Sequence, residues 1–170
     1  AINDSIILDM TRYFNKVESV SEEKAVTQPG VFYRDFEKET LTRGVILPCY
    51  TSSRELCTVG GMVGNNSAGE KSLTYGQTER YVGRLKAVLS DGNEYELSPL
   101  NKAELDLKCS QDNFEGNLYK NIAELVFSNY KIITESAPTV SKNSTGYYLW
   151  KVWDGTTFDI TKLLVGSQGT

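Results

Sequence analysis

There is no histidine among the 170 residues. The side chain that most often serves as general base and as transition-metal ligand near neutral pH is therefore missing. Neither a Ser–His nor a Cys–His nucleophile can be assembled from this chain alone. Cysteine is scarce: Cys49, Cys57 and Cys109 are far apart. An odd count without short spacings argues against a disulfide framework or a zinc site and suits a reducing compartment. No apolar run is long enough to span a bilayer, and no signal-peptide pattern is present. The expected location is the cytoplasm, with peripheral association at the inner face of the membrane left open. Neither sign of charge dominates, since 18 basic residues mix with 22 acidic ones for a net charge of −4. Without a basic patch or stripe, nucleic acid is not an expected partner. Internal repeats and low-complexity segments are absent too. The length suits one domain with a core of its own.

What the chain does have is glycine, gathered in one place. Thr58-Val59-Gly60-Gly61-Met62-Val63-Gly64-Asn65-Asn66-Ser67-Ala68-Gly69 contains no charged residue, and Tyr75-Gly76 follows shortly after. Glycine lets backbone approach a ligand closely, and consecutive N–H groups turned to one side form an anion-binding concavity. Asn and Ser add donors without charge. The stretch reads as a cradle for a phosphate or an electron-rich ring, with a plain glycine-rich surface loop as the competing reading. It lacks the G-x-x-x-x-G-K-[ST] of a P-loop and the G-x-G-x-x-G of a dinucleotide fold.

The rest of the chain reads as short elements. Ser5 to Asp9 suggests a strand. Lys16–Val20 and Lys24–Gln28 suggest two more, turned at Ser21-Glu22-Glu23 and stopped at Pro29-Gly30. A helix is predicted over 31–42, with Phe32, Phe36 and Thr40 on one face and Gly44 as its stop. Those aromatics read as core, with ring stacking on a ligand as the rarer alternative. Pro48 makes a rigid turn ahead of the glycines, and Thr51 to Glu55 could cap a short helical turn. Val82–Ser90 reads as a strand with both faces at least partly covered, since Val88 breaks its alternation. Asp91-Gly92 signals a hairpin, and the return strand through Tyr95 and Leu97 ends at Pro99. A helix follows over 101–108. Asp112-x-x-Glu115 resembles a capping box, ahead of a helix with Phe114, Leu118, Ile122 and Leu125 as its core stripe. The pattern of Tyr130–Ile133 fits helix or strand. Ser136–Thr145 reads as loop, Trp150 and Trp153 as core fillers, Asp154–Thr157 as a turn and Asp159–Leu163 as a short helix.

Taken in order, these pieces match a known pattern. Thr27-Gln28-Pro29-Gly30, a helix, Leu47-Pro48, Cys57-Thr58-Val59-Gly60-Gly61, Asn65-Asn66-Ser67-Ala68-Gly69, Tyr75-Gly76 and Val88-Leu89-Ser90-Asp91-Gly92 come first. Ser144-Thr145-Gly146-Tyr147 and Leu163-Leu164-Val165-Gly166-Ser167-Gln168-Gly169-Thr170 close the set. The order resembles the FAD-binding domain of the vanillyl-alcohol-oxidase-like (PCMH-type) flavoenzymes. Within that group it looks most like the FAD-linked 2-hydroxy-acid dehydrogenases, of the D-lactate dehydrogenase and glycolate oxidase type. Gln168 departs from the pattern, standing where an acidic residue is commoner; it keeps the hydrogen-bonding reach and loses the charge.

The resemblance implies an α+β fold, a mainly antiparallel sheet flanked by helices, forming the larger subdomain of a two-part FAD site. It implies that residues 1–170 are a fragment of a longer enzyme, without the smaller pyrophosphate-binding subdomain and the cap domain. The implied cofactor is FAD, contacted by Pro48, Cys57, Thr58, Val59, Gly60, Gly61, Asn65, Asn66, Ser67, Gly69, Gly166, Gly169 and Thr170. The implied reaction is hydride transfer from a 2-hydroxy acid, D-lactate-like or glycolate-like, to the flavin. No residue of the chain is assigned a catalytic or metal-binding role, and the electron acceptor stays unknown. Three alternatives stand beside this reading. One is another oxidoreductase on the same fold, such as a sugar or alditol oxidase or UDP-N-acetylenolpyruvoylglucosamine reductase. The others are a non-catalytic flavin- or nucleotide-binding module and a structural subunit with a vestigial site.

Overall fold

Gly, Pro and Asp-Gly interrupt the apolar runs every few residues, so the chain folds as many short elements instead of a few long ones. The computed structural model describes residues 4, 6–143 and 146–168. They fall into two units, Ala1–Thr78 and Glu79–Thr170. The fold is α+β, and its antiparallel pairing is divided among three separate two-stranded ladders. Among the described residues no helix is long and apolar enough to cross a membrane.

In the first unit β1 (Val17–Val20) pairs with β2 (Ala25–Thr27). The two are joined by a turn that Ser21 closes on the carbonyl of Lys24. Helix α1 (Tyr33–Leu41) follows and stops at Gly44, whose φ of 71° only glycine adopts at little cost. Its core face is wider than the spacing of Phe32, Phe36 and Thr40 suggests. Tyr33, Phe36 and Thr40 are buried, whereas Phe32 is half-buried under the Arg34 guanidinium. Tyr33 joins Val31, Phe36, Cys49, Tyr50 and Met62 in the core of this unit, and its hydroxyl donates to the Leu47 carbonyl at 2.8 Å. Burial pushes the Tyr33 phenol well above its ordinary pKa. The strand expected over residues 5–9 does not form: Ser5 lies outside the described residues, and Ile6–Met10 carries no regular structure. Ile6, Ile7 and Leu8 stay exposed, without a paired neighbour to hold an extended conformation.

In the second unit β3 (Leu85–Val88) and β4 (Glu94–Leu97) form a hairpin in register Leu85↔Leu97 to Val88↔Glu94. It is closed by Asp91-Gly92, with Gly92 at φ 81°. Val88 is 69% exposed and burial alternates along β3, so among the described residues only one face of this strand is covered. A second ladder pairs β5 (Leu100–Asn101) with β6 (Thr157–Phe158). Helix α4 (Lys102–Cys109) starts in a complete capping box between Asn101 and Glu104.

Helix α5 (Phe114–Ser128) is capped by Asn113, whose side chain accepts the Gly116 N–H at 2.8 Å. Asp112 is therefore one residue too early to be the cap. The buried line on α5 is Gly116, Tyr119, Ala123 and Val126. The expected line of Phe114, Leu118 and Ile122 lies along the flank, half-buried, and Leu125 is 49% exposed. At the head of this line Gly116 is pressed against the preceding segment, where an added Cβ would sit 2.2 Å from the Gln111 carbonyl oxygen. Tyr130–Glu135 continues as helix α6, and α7 spans Thr161–Leu164. Leu97, Leu105, Tyr119, Ala123, Val126, Val152, Phe158 and Ile160 form the core, with Trp153 partly buried against it. Trp150 is likewise half-buried and lies against Tyr148, ring centroids 4.9 Å apart.

Candidate functional site

The glycine-rich stretch is not an open loop. Val59–Gly64 forms a helix, α2, although three of its six residues are glycine. Glycine weakens a helix interior by roughly 0.5–1 kcal/mol per residue relative to alanine, so something other than propensity must hold it. Thr58 supplies the N-cap, accepting the Gly61 N–H on its hydroxyl at 3.2 Å. Thr58 also sits opposite Phe32 in a single antiparallel bridge. Around that bridge Tyr33 N–H donates to the Cys57 carbonyl at 2.9 Å and Val59 N–H to the Val31 carbonyl at 2.8 Å. Gly60 N–H reaches the Pro29 carbonyl at 2.9 Å, and Met62 anchors the buried side.

These bonds change the chemistry expected of the stretch. The N–H groups of Val59, Gly60, Gly61 and Met62 all have partners inside the chain. The concavity of outward-facing N–H groups is therefore not built at these four residues, because the bridge and the cap use the donors first. Two of the glycines answer to the chain itself. A Cβ on Gly60 would sit 2.6 Å from the Pro29 side chain, and one on Gly69 would sit 1.7 Å from the Tyr50 carbonyl oxygen.

Gly61 and Gly64 are different. A Cβ on Gly64 would meet nothing within 4 Å, and one on Gly61 would meet only the Thr58 hydroxyl, at 3.2 Å. Neither has a positive φ. They lie three residues apart on one face of α2, with exposed Asn65 at its end. At Gly64 neither packing nor backbone conformation among the described residues requires glycine, and at Gly61 the one close neighbour of an added Cβ is the capping Thr58 hydroxyl. What they create is a strip of bare, uncharged helix backbone ending in a carboxamide. A flat ring can lie against such a strip at van der Waals distance, and Asn65 can hydrogen-bond a carbonyl or ring nitrogen at its edge. The donor set is neutral and fits the ring portions of FAD better than its doubly charged pyrophosphate.

The remaining candidates take varied positions. Cys57, Thr58 and Val59 are half-buried at the bridge, and Pro48 is half-buried ahead of it in the chain. Asn66 is fully buried with φ 45°, a left-handed turn that asparagine tolerates, and it reverses the chain after α2. Ser67 is half-buried and its N–H closes on the Met62 carbonyl at 2.9 Å. All of these belong to the first unit. Gly166, with φ 86°, belongs to the turn after α7 in the second. Gly169 and Thr170 lie outside the described residues, as do Ser144 and Thr145. Among the described residues no group of three or more Cys, Asp and Glu is placed to hold a metal ion. The residue the sequence reading missed is Thr78. It is buried, and its hydroxyl lies 3.6 Å from the Cys49 thiol and 2.8 Å from the Ser67 carbonyl. A lone Thr in a polar stretch carries no pattern that would mark it.

The FAD binding domain family matches residues 1–98, more than half of the chain, and the chain is a member of that family. Among curated relatives, the D-2-hydroxyglutarate dehydrogenase of Pantoea ananatis is 29% identical over all of this chain and 17% of its own length. The D-2-hydroxyglutarate dehydrogenase of Escherichia coli is 28% identical over the same shares. The glycolate oxidase subunit GlcD of Bacillus subtilis is 34% identical over 48% of this chain and 18% of its own. The chain thus spans about one-sixth of the length of the relatives that match it throughout. No solved structure matches it.

Proposed function

We propose that this chain supplies one wall of the FAD site in a dehydrogenase of 2-hydroxy acids. The observation that carries the reading is the bare strip at Gly61 and Gly64, where Gly64 has open space around it and Gly61 meets only the Thr58 hydroxyl, in a chain of the FAD binding domain family. On this reading the strip and Asn65 touch the cofactor directly. Thr58, Gly60, Asn66, Ser67 and Gly69 hold α2 and the turn behind it in place. Pro48, Cys57 and Val59 line the approach, and the family pattern adds Gly166, Gly169 and Thr170 as further candidate contacts. When bound, FAD supplies the redox chemistry, accepting a hydride from the hydroxyl-bearing carbon so that the product is a 2-oxo acid. The chain's own part is to position that cofactor and keep water from one side of it.

No catalytic base is assigned within the chain. A pyrophosphate-binding subdomain and a substrate-bearing cap domain supply the rest of the site on this reading. The relatives that match the chain throughout are named D-2-hydroxyglutarate dehydrogenases. That supports a 2-hydroxy dicarboxylic acid over glycolate or lactate as the substrate.

Gly64→Leu tests the wall. Because the chain leaves that position open, the variant is expected to fold with a denaturation midpoint no lower than wild type while its flavin content falls sharply. Full flavin occupancy in folded Gly64→Leu protein would remove the wall from α2. The substrate class is read separately, from which 2-hydroxy acid bleaches the flavin absorbance of the full-length protein under anaerobic conditions.

A further inference from the structure

The turn behind α2 is held by a polar strap that the glycine pattern does not reveal. Beyond Met62 the segment Gly64–Gly69 contributes no large apolar side chain to the core, so burial of apolar surface does little to fix it. Instead its carbonyls are gripped. The Ser67 carbonyl accepts two hydrogen bonds from one residue, from Thr78 N–H at 3.0 Å and from the Thr78 hydroxyl at 2.8 Å. The Asn66 carbonyl accepts from the Gln77 carboxamide at 2.9 Å. Gly76, with φ 82°, turns the chain so that Gln77 and Thr78 follow the 66–67 segment. On the far side the Tyr50 carbonyl lies directly against Gly69, and the Tyr50 hydroxyl donates to Glu70 at 3.1 Å.

Thr78 is the centre of this strap. It is 2% exposed, so its hydroxyl must find partners within the protein. It donates to Ser67 and accepts from the Cys49 thiol at 3.6 Å. That direction requires the thiol to keep its proton, and burial pushes the Cys49 pKa up. The strap in turn closes the end of α2, because Ser67 N–H bonds to the Met62 carbonyl and Asn66 N–H to the Val63 carbonyl. A shift of Ser67 would carry Asn65 and Gly64 with it.

We propose that Thr78 is a positioning residue for the cofactor: through Ser67 it fixes the end of α2 so that Gly64 and Asn65 present a preformed wall. The proposal rests on the reading of that strip as the flavin wall. A preformed wall binds more tightly than one that must be ordered on binding, because the ordering cost is met during folding.

The test uses Thr78→Val, which keeps the shape and removes the hydroxyl, with Thr78→Ser as the conservative rescue. Hydrogen exchange of residues 64–69 is read on flavin-free protein, and FAD affinity by titration of the full-length apoprotein. In Thr78→Val the amides of Asn66 and Ser67 are expected to exchange about tenfold faster, with α1 unchanged, and the FAD dissociation constant to rise about tenfold. Thr78→Ser should restore both. Wild-type exchange in Thr78→Val would overturn the strap. Faster exchange with unaltered FAD affinity would overturn the link to the cofactor and leave the wall standing. Failure of the wild-type apoprotein to bind FAD would sink the wall reading and this proposal with it. If Thr78→Val does not fold, Gln77→Leu removes the parallel bond to Asn66. It should move both readouts in the same direction, and wild-type values in that variant would overturn the proposal.

Discussion

In the second unit Leu105, Tyr119, Ala123 and Val126 are withdrawn from water between α4, α5 and the strand β6, and large side chains do the ordering. Around α2 in the first unit, Met62 is the one fully buried apolar side chain between Thr58 and Gly69. Order there comes from the backbone, through the Phe32–Thr58 bridge, the Thr58 cap and the bonds from Gln77 and Thr78. The two regions answer differently to the same change. Removing side-chain volume harms the first kind, and adding it where backbone is already in contact, at Gly60 or Gly69, harms the second. At Gly69 the Tyr50 carbonyl oxygen lies where a Cβ would go, so the added atom meets backbone and not a side chain that could rotate away. Regions of the second kind are suited to ligands, since they expose backbone and neutral polar groups without a covering of side chains.

The largest expected effect lies in the helix pair. Leu105→Ala should destabilise the second unit by about 2–5 kcal/mol, because the side chain is 1% exposed and its removal leaves a cavity. Leu125→Ala, on the same helix pair but half-exposed, should cost about 0.5 kcal/mol or less. Urea denaturation of both variants checks the pair, and equal midpoints would erase the distinction between buried line and flank. Gly69→Ala should cost about 1–3 kcal/mol or more, since its Cβ would overlap the Tyr50 carbonyl. A wild-type midpoint there would mean that the 50–51 backbone yields freely. Gly64→Ala should do the opposite and stabilise the first unit by about 0.5–1 kcal/mol while lowering FAD affinity. A loss of stability would show that the open strip is open for some reason internal to the fold.

Two smaller effects report on local order. Cys49 is fully buried and its thiol is pushed up by burial, whereas Cys57 is half-buried. Iodoacetamide at pH 8, followed by mass spectrometry, should modify Cys57 well before Cys49. Equal rates would show that the strap opens readily. In the second unit the turn at Asp154 gives the pH effect. Backbone N–H groups of Thr157 and Thr156, then the Thr156 hydroxyl, hold the Asp154 carboxyl below the usual carboxylate range. The folded pKa is depressed relative to the unfolded one. Its contribution is therefore complete above about pH 4 and is lost as pH falls through the folded value. The stability difference between wild type and Asp154→Asn should shrink on acidification through that window. A constant difference would show that the carboxylate charge plays no part in the turn.

Local signals were legible wherever a few neighbouring residues decide the outcome. The β1–β2 turn at Ser21, the end of α1 at Gly44, the Asp91-Gly92 hairpin and the capped helix after Asn101 all stand where their residues place them. Each depends on backbone chemistry within a few positions. The ordered glycine and asparagine motifs likewise mark the cofactor family in the sequence itself. The sequence could not say which side of α5 is buried, because Phe114, Leu118 and Ile122 outweigh Gly116 and Ala123 in any apolar pattern. Close approach of neighbouring elements rewards the small residues instead. Nor could it show that Val59–Gly64 is helical, since glycine argues against helix and the bridge that overrides it comes from Phe32, 26 positions before Thr58. Above all it could not sort the glycines. Pro29 and Tyr50 press against Gly60 and Gly69, while Gly64 faces open space and Gly61 meets only the hydroxyl of its own cap, Thr58. That distinction exists only once residues distant along the chain are brought together.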